Sequence, residues 1–117
     1  MKILVAFKTI IVAFSLICSI NVKAAETLRV SDLILDYNTF AGKEISLYGC
    51  FLQMGTIAFL YEECGSMTAV NVDVSKADRE TRKYLLKNCG TGCEVSFVGT
   101  PGVVMYQNGF IVTTMSR

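Results

Sequence analysis

Residues 43–63 read KEISLYGCFLQMGTIAFLYEE, and this pattern predicts two β-strands joined by a turn at Met54-Gly55. Ile45 and Leu47 are separated by more polar side chains, which is the period of two expected for a strand with one buried face. Gly49 interrupts the first strand where a strongly coiled strand would bend. The pair therefore predicts a bent β-hairpin as the centre of the domain.

The other predicted elements complete a β-rich fold. They are a helical turn over 30–37 with Ser31 as N-cap, a strand over 68–74, a helix from about Ser75 to Asn88, a strand from Cys93 that breaks or bulges at Pro101-Gly102, a tight turn at Asn108-Gly109, and a strand over 110–115. The order β-β-β-α-β-β is that of the OB-fold, a five-stranded Greek-key barrel. We therefore expect a mainly β domain whose one helix plugs the barrel between the third and fourth strands.

The N-terminal segment has the features of a secretory signal peptide. Two lysines near the start precede an apolar run, Thr9–Ile20, and small residues lead up to Ala24. The run is shorter than the roughly 20 residues that span a bilayer, which disfavours a retained anchor. We expect cleavage after about Ala24, a single domain over 25–117, and a periplasmic or secreted protein that meets the membrane only through its signal peptide before cleavage.

The charge of the expected mature domain differs from that of the whole chain. The chain has 11 basic and 10 acidic residues, and residues 1–24 contain three of the basic residues and none of the acidic ones. The mature domain therefore has 8 basic and 10 acidic residues, a formal charge of −2. A mildly acidic domain has no general attraction for nucleic acid. Nucleic acid is thus disfavoured as a partner.

Four cysteines follow the signal segment, and an even number in an exported chain favours disulfides. Cys89 and Cys93 form the favoured pair, since the two intervening glycines let a short loop close. Cys50 and Cys64 pair by elimination, although the predicted turn would place Cys50 opposite Phe59. The chain has no histidine, and a four-cysteine zinc site needs two close pairs where only one exists. We expect neither a metal nor a cofactor.

The sequence contains no catalytic motif. It has no histidine, no nucleophile elbow and no glycine-rich phosphate loop. The adjacent carboxylates Glu62 and Glu63 lie in a predicted turn and read as a solvated loop. Cys89 follows the C-terminal end of the predicted helix, where the dipole raises a thiol pKa, so a redox role is disfavoured. We expect a protein that is not an enzyme.

Candidate binding residues lie on the predicted outer surface of the barrel. OB-folds bind through their second and third strands and the flanking loops. Asn71 and Asp73 alternate with inward-facing valines, and Tyr48, Tyr61 and Tyr106 offer rings on which sugars, proline-rich peptides or bases could stack. Each tyrosine has an alternative interpretation as part of the core of a small barrel.

The segments Leu60-Tyr61, Met67–Val74 and Val95–Thr100, with the closing strand, resemble the small exported bacterial OB-fold proteins. Those proteins are single periplasmic domains with signal peptides. The resemblance is one of topology and pattern, without a signature motif. It implies a non-enzymatic module that binds a macromolecule or an envelope component, with a protein or a glycan as the partner.

Two other functions are also compatible with the sequence. The size, export signal and topology are also similar to those of the ring-forming receptor-binding B subunits of bacterial toxins, which bind glycans. Val103–Tyr106 and Phe110–Val112 are apolar on both faces, which favours an oligomer interface unless tight curling buries both sides. The third function is single-strand nucleic-acid binding, which would weaken steeply with salt.

Overall fold

The computed structural model describes residues 27–116. The elements are β1 (Thr27–Arg29), α1 (Val30–Leu35), α2 (Tyr37–Phe40), β2 (Ile45–Met54), β3 (Ile57–Tyr61), β4 (Ala69–Asp73), α3 (Arg79–Asn88), β5 (Cys93–Val104) and β6 (Gln107–Met115). The expected signal peptide lies outside the described residues. Within the described part of the chain, no helix is long and apolar enough to cross a bilayer.

Five of the strands close into a barrel, as the sequence predicts. The hydrogen-bonded order runs β2-β3-β4-β6-β5, and β5 pairs again with β2 to complete the circle. All contacts between neighbours are antiparallel except that of β4 with β6, which is parallel. The short strand β1 was not predicted, and it lies parallel to the first half of β2. The fold is mainly β and OB-fold-like.

Gly49 marks the point where β2 changes neighbours. Before it β2 pairs with β1 and β5, and after it β2 pairs with β3 and β5. A Cβ atom at Gly49 would collide with the Tyr61 carbonyl oxygen and lie 2.9 Å from Cγ of Leu60. Glycine is therefore required by close approach of the neighbouring strand. Beyond the bend, Phe51 packs edge-on against Phe97 of β5 with ring centroids 5.7 Å apart.

The β2–β3 turn lies one residue later than predicted. It consists of Gly55 and Thr56, with Gly55 at a φ of 66° and Met54 paired with Ile57. Left-handed backbone at the first of two turn residues suits glycine, and the strand register follows from it. Cys50 consequently lies opposite Tyr61 and not opposite Phe59.

Both predicted disulfides are present. Cys50 is joined to Cys64, and Cys89 is joined to Cys93. The corrected register explains the Cys50–Cys64 bridge, because Cys50 lies opposite Tyr61 and Cys64 follows Tyr61 by only three residues. Disulfides are rare in reducing compartments, so the pair of bridges indicates a non-reducing environment of the kind that exported proteins meet.

The β5–β6 hairpin corrects two predictions, the break or bulge at Pro101-Gly102 and the tight turn at Asn108-Gly109. β5 continues through Pro101-Gly102, and the turn lies at Met105-Tyr106 instead of Asn108-Gly109. Pro101 is tolerated because this part of β5 pairs only with β6 and leaves its other edge without a strand partner. Gly109 serves packing, since a Cβ there would lie 2.6 Å from the Asn71 carbonyl oxygen.

The N-terminal helix begins earlier than predicted. Its N-cap is Arg29, whose backbone N–H donates to the Asp32 carboxylate at 3.1 Å, and Ser31 is already inside the helix. The reason lies in the neighbouring residue, because Val30 is fully buried and draws the first turn against the barrel.

α3 covers one end of the barrel between β4 and β5. Thr81 is buried, and its hydroxyl accepts a hydrogen bond of 3.0 Å from the backbone N–H of Met115 in β6. Leu85 of α3 and Ala77 just before it join the hydrophobic core, so the helix covers part of this end of the barrel. A cleft of about 320 Å³ nevertheless remains between the helix and the inward-facing residues at this end.

Candidate functional site

The outer surface of β3 carries an unusual row of apolar side chains. Ala58 and Leu60 face the barrel interior and are buried. The alternate residues Ile57, Phe59 and Tyr61 face outward, with Phe59 and Tyr61 half-buried and Ile57 exposed. An antiparallel strand with one solvated face normally alternates apolar and polar residues. β3 is instead apolar on both faces, so its outer surface is a candidate for contact with another molecule.

Neighbouring strands extend this row into a surface. Phe59 lies opposite Leu52 of β2 on one side and opposite Asn71 of β4 on the other. The rings of Phe59 and Tyr61 are tilted against each other with centroids 6.0 Å apart, within the range of favourable aromatic pairs. We call Leu52, Ile57, Phe59, Tyr61 and Asn71 the β3 face. It contains one amide and no charged side chain.

A recess opens at the Tyr61 end of the β3 face. It has a volume of about 280 Å³ and is lined by Cys50, Leu52, Tyr61, Cys64, Gly65, Ser66, Thr91 and Gly92. The two disulfide-bearing loops meet here, since a Cβ on Gly92 would lie 3.6 Å from Sγ of Cys50. No charged residue lines the recess. Its size is close to the lower limit of small-molecule pockets, so it suits one ring or one bulky side chain.

Glu62 fixes the position of this end of β3. Its Oε1 accepts a hydrogen bond of 2.8 Å from the backbone N–H of Ser31, and its Oε2 accepts one of 2.9 Å from Nε of Arg29. The pKa of Arg29 is raised, chiefly by the charge of Glu62 and then by this hydrogen bond. Glu63 is more exposed and lies 3.4 Å from the same guanidinium. The solvated-loop prediction is therefore wrong for Glu62, which ties β3 to β1 and α1.

Of the five candidate binding residues, Tyr61 and Asn71 come together. Both lie on the β3 face, where Tyr61 pairs with Ala69 and Asn71 pairs with Phe59 on the same two strands. The sequence prediction does not include Leu52, Ile57 and Phe59, because it rests on polar and tyrosine side chains. The signal was present in the sequence, since residues 57–61 contain no polar side chain apart from the tyrosine hydroxyl.

Tyr48 and Asp73 are held by other groups. Tyr48 lies between β1 and β5, and its hydroxyl donates a hydrogen bond of 2.8 Å to Glu94, which raises the pKa of the phenol. Asp73 is at the end of β4, where its carboxylate accepts hydrogen bonds from the hydroxyl and backbone N–H of Ser75. These bonds lower the pKa of Asp73.

Tyr106 lies apart from the β3 strand, at the tip of the β5–β6 hairpin. Met105 and Tyr106 have φ angles of 52° and 69°, the left-handed conformation of both central residues in a type I′ turn. The Tyr106 side chain is 99% exposed. The core alternative therefore fails for Tyr106, while Val104 and Phe110 beside it are buried. The curled hairpin thus buries one side of these strands and displays Val103, Met105 and Tyr106.

Over residues 27–116, no three cysteine, aspartate or glutamate side chains are placed to share a metal ion. The arrangement offers instead a neutral, partly aromatic surface next to a small recess, both held rigid by the barrel and a disulfide. Such a surface can take up an uncharged or apolar group of a partner.

Comparisons with protein-family models, curated proteins and solved structures find no match to this chain.

Proposed function

We propose that the protein is a non-enzymatic, periplasmic or secreted binding module that holds a protein partner on its β3 face. The observation that carries this proposal is the outward-facing pair Phe59 and Tyr61, flanked by Leu52 and Asn71. Aromatic side chains that neighbours hold in place are the typical anchors of protein interfaces, because they bury a large area at a small entropic cost.

A protein partner fits this surface better than a nucleic acid or a free metabolite. The β3 face has no cation for a phosphate backbone, and the mature charge of −2 opposes the electrostatic attraction on which nucleic-acid binding depends. The recess of about 280 Å³ is too small to enclose a cofactor-sized molecule. It can accept one aromatic or aliphatic side chain of a partner, next to the Tyr61 ring and the Cys50–Cys64 disulfide.

Site-specific photocrosslinking tests the proposal in the compartment where the protein acts. A photoreactive phenylalanine analogue replaces Phe59 in one strain and Tyr106 in another, and crosslinked products are compared by mass spectrometry. Position 59 should yield a discrete adduct with a second protein, and a Tyr61→Ser substitution should reduce that adduct. Position 106 is the control, since it is exposed and lies outside the β3 face. Adducts from position 106 alone would refute the assignment.

The mass of the oxidised protein in solution separates this proposal from the ring-forming glycan-binding alternative. Light scattering after size exclusion should give a monomer or dimer for an accessory binder. A closed ring of several subunits would instead support the glycan-binding subunit, with the displayed Val103, Met105 and Tyr106 side chains as the first interface to test. Binding of single-stranded DNA that collapses between about 50 and 200 mM salt would support the nucleic-acid alternative.

A further inference from the structure

The end of the barrel beneath α3 is incompletely filled. The cleft of about 320 Å³ lies between Gln53, Thr56 and Ala58 of the β2–β3 hairpin, residues 72–75 at the end of β4, and Arg82, Leu85 and Leu86 of α3. Ala58 pairs with Gln53 on one side and with Val72 on the other. A residue as small as alanine at this inward position leaves the space open. The mouths of β-barrels are frequent ligand sites, and the volume falls within the usual range for small ligands.

The walls of this cleft are apolar, and their polar groups are largely satisfied within the protein. Ala58, Val72 and Leu85 are buried and form the floor. The Gln53 side chain donates a hydrogen bond to the Gly55 carbonyl oxygen at 3.1 Å. The Ser75 hydroxyl donates to Asp73 at 2.7 Å. An occupant of the floor therefore gains from apolar contact and finds few hydrogen-bond partners.

The acidic side chain in the lining is already compensated. The Asp73 carboxylate accepts two hydrogen bonds from Ser75 and lies 3.8 Å from Nζ of Lys76. Arg82 is the cationic side chain of the lining, and its Nε donates to the Ala77 carbonyl oxygen at 2.9 Å. That bond holds the guanidinium beside the cleft.

A cationic rim continues from the cleft along α3. A shallower groove of about 230 Å³ is lined by Arg79, Arg82, Lys83 and Leu86, and it shares two residues with the cleft. Residues 76–87 contain five basic and two acidic side chains, while the rest of residues 27–116 has two basic and seven acidic ones. Among the described ion pairs, none involves the three cations of this rim. Leu86 is 84% exposed at the junction.

We propose that this cleft binds a single-chain anionic amphiphile of the fatty-acid class. The acyl chain would lie on Ala58, Val72 and Leu85, and the carboxylate would meet the rim of Arg79, Arg82 and Lys83. The site is separate from the β3 face, because its barrel-side lining comes mainly from inward-facing positions at the barrel end. Binding at this cleft is therefore a second function, and a negative result for one of the two functions does not affect the other.

The shape and backbone pairing favour a free amphiphile over a peptide or a bilayer surface. A peptide cannot add to the sheet here as a further strand, because β3 is hydrogen-bonded on both sides by β2 and β4, and β4 is bonded on both sides by β3 and β6. A bilayer presents a broad surface that cannot follow a concave floor between a hairpin and a helix. An acyl chain has no polar groups to satisfy, which matches the floor.

Titration calorimetry of the purified oxidised protein with dodecanoate below its micelle concentration tests the proposal. We expect saturable binding of one dodecanoate per chain. Butyrate has the same carboxylate but eight fewer methylenes and should bind more than about 100-fold more weakly, because each methylene buried on the apolar floor adds to the affinity. Dodecyltrimethylammonium has the same chain with the opposite charge and should bind at least about tenfold more weakly, because it meets the cationic rim.

Variants then locate the ligand on the protein. The double substitution Arg79→Gln with Lys83→Gln should weaken dodecanoate binding by about fivefold, the range expected for two exposed charges. Leu86→Asp puts a negative charge at the mouth of the cleft and should weaken it further. Lys87→Gln removes a cation of the same helix that does not line the cleft, so it should leave the affinity within about twofold.

Several results would overturn the proposal. These are no saturable binding, equal affinity for the anionic and cationic amphiphiles, and equal losses for the rim variant and Lys87→Gln. Binding to vesicles of anionic phospholipid without binding to monomeric dodecanoate would assign the rim to a membrane surface instead. Selective binding of an acidic peptide without dodecanoate would assign it to a protein.

Discussion

Removal of the Cys50–Cys64 disulfide should destabilise the domain more than removal of the Cys89–Cys93 disulfide. The first bridge joins cysteines 14 positions apart and the second joins cysteines 4 positions apart. Restricting the unfolded chain over these loops contributes about 3 kcal/mol in the first case and about 2 kcal/mol in the second. A loss of about 3 kcal/mol is a large part of the roughly 5–15 kcal/mol that stabilises a typical domain.

Two double variants, Cys50→Ala with Cys64→Ala and Cys89→Ala with Cys93→Ala, provide a matched comparison. Each pair contains one nearly fully buried cysteine, 4% exposed at Cys50 and 2% at Cys89, so the packing losses are alike. Urea unfolding followed by circular dichroism gives the free energy of unfolding of each variant, extrapolated to water with that variant's own slope. A lower stability of the 89–93 variant than of the 50–64 variant would contradict the expected order. A loss of less than about 1 kcal/mol in the 50–64 variant would contradict the expected magnitude.

Three further predictions concern single side chains. Glu62→Gln should lower the free energy of unfolding by about 1–2 kcal/mol, because the substitution weakens charge-assisted hydrogen bonds from β1 and α1. Glu63→Gln, at a more exposed carboxylate, should change the free energy of unfolding by less than about 0.5 kcal/mol. Gly49→Ala should cost about 1–3 kcal/mol or more, because its Cβ has no room against β3, whereas Gly90→Ala places its Cβ in open space. The folded-state pKa of Asp73 lies below its ordinary value of 3.8. The stability that the ionised carboxylate supplies is therefore present above about pH 4 and is lost as the pH falls through the lower pKa. Asp73→Asn should accordingly lose stability less steeply than the parent protein between about pH 5 and pH 2.

Thermal and urea unfolding of each variant beside the parent measure these effects. Equal losses for Glu62→Gln and Glu63→Gln would contradict the role assigned to the shorter hydrogen bonds. A Gly49→Ala variant as stable as Gly90→Ala would mean that β2 and β3 separate at no cost. For Asp73→Asn, the same acid-side slope as the parent would show that the Ser75 hydrogen bonds do not favour the ionised form.

The barrel could be predicted because its local signals agree with its tertiary structure. Val70 and Val72 of β4 are buried as expected, Val74 just after the strand packs against the core, and the glycine bend of β2 lies where the neighbours change. A helix between the third and fourth barrel strands then leaves few topologies open. Inward-facing positions and strand order were thus accessible from the pattern of side chains alone.

The β5–β6 turn could not be predicted, because a tertiary contact overrides a strong local preference. Asn108-Gly109 has the composition of a type I′ turn. Gly109 is instead needed where β6 runs beside β4, opposite Asn71. The turn therefore moves to Met105-Tyr106, two residues that enter the left-handed region at an energetic cost. The position of β4 beside Gly109 cannot be inferred from the sequence of the turn itself.

The β3 face was predictable only in part, because part of it depends on contacts between strands. Tyr61 and Asn71 follow from strand alternation, and so does the outward direction of Phe59, which alternates with the buried Ala58 and Leu60. The register of the turn determines instead which residue of β2 lies beside Phe59. Shifting a hairpin turn by one residue changes which residues lie opposite each other. The cleft under α3 has no sequence signature, because it arises from a small residue on one strand and cations on a distant helix.

The pairing of β2 with β5 determines when the domain can become complete. Ile45 pairs with Gly99, nearly half the chain length away, whereas the β2–β3 and β3–β4 hairpins join near neighbours. Pairings between distant segments form slowly, because a long loop must close before any contact repays the lost entropy. The Cys50–Cys64 bridge spans only the first hairpin, so it can form before the last strands arrive. In an oxidising compartment, the Cys50–Cys64 disulfide can thus fix the register of β2 and β3 before β5 and β6 close the barrel.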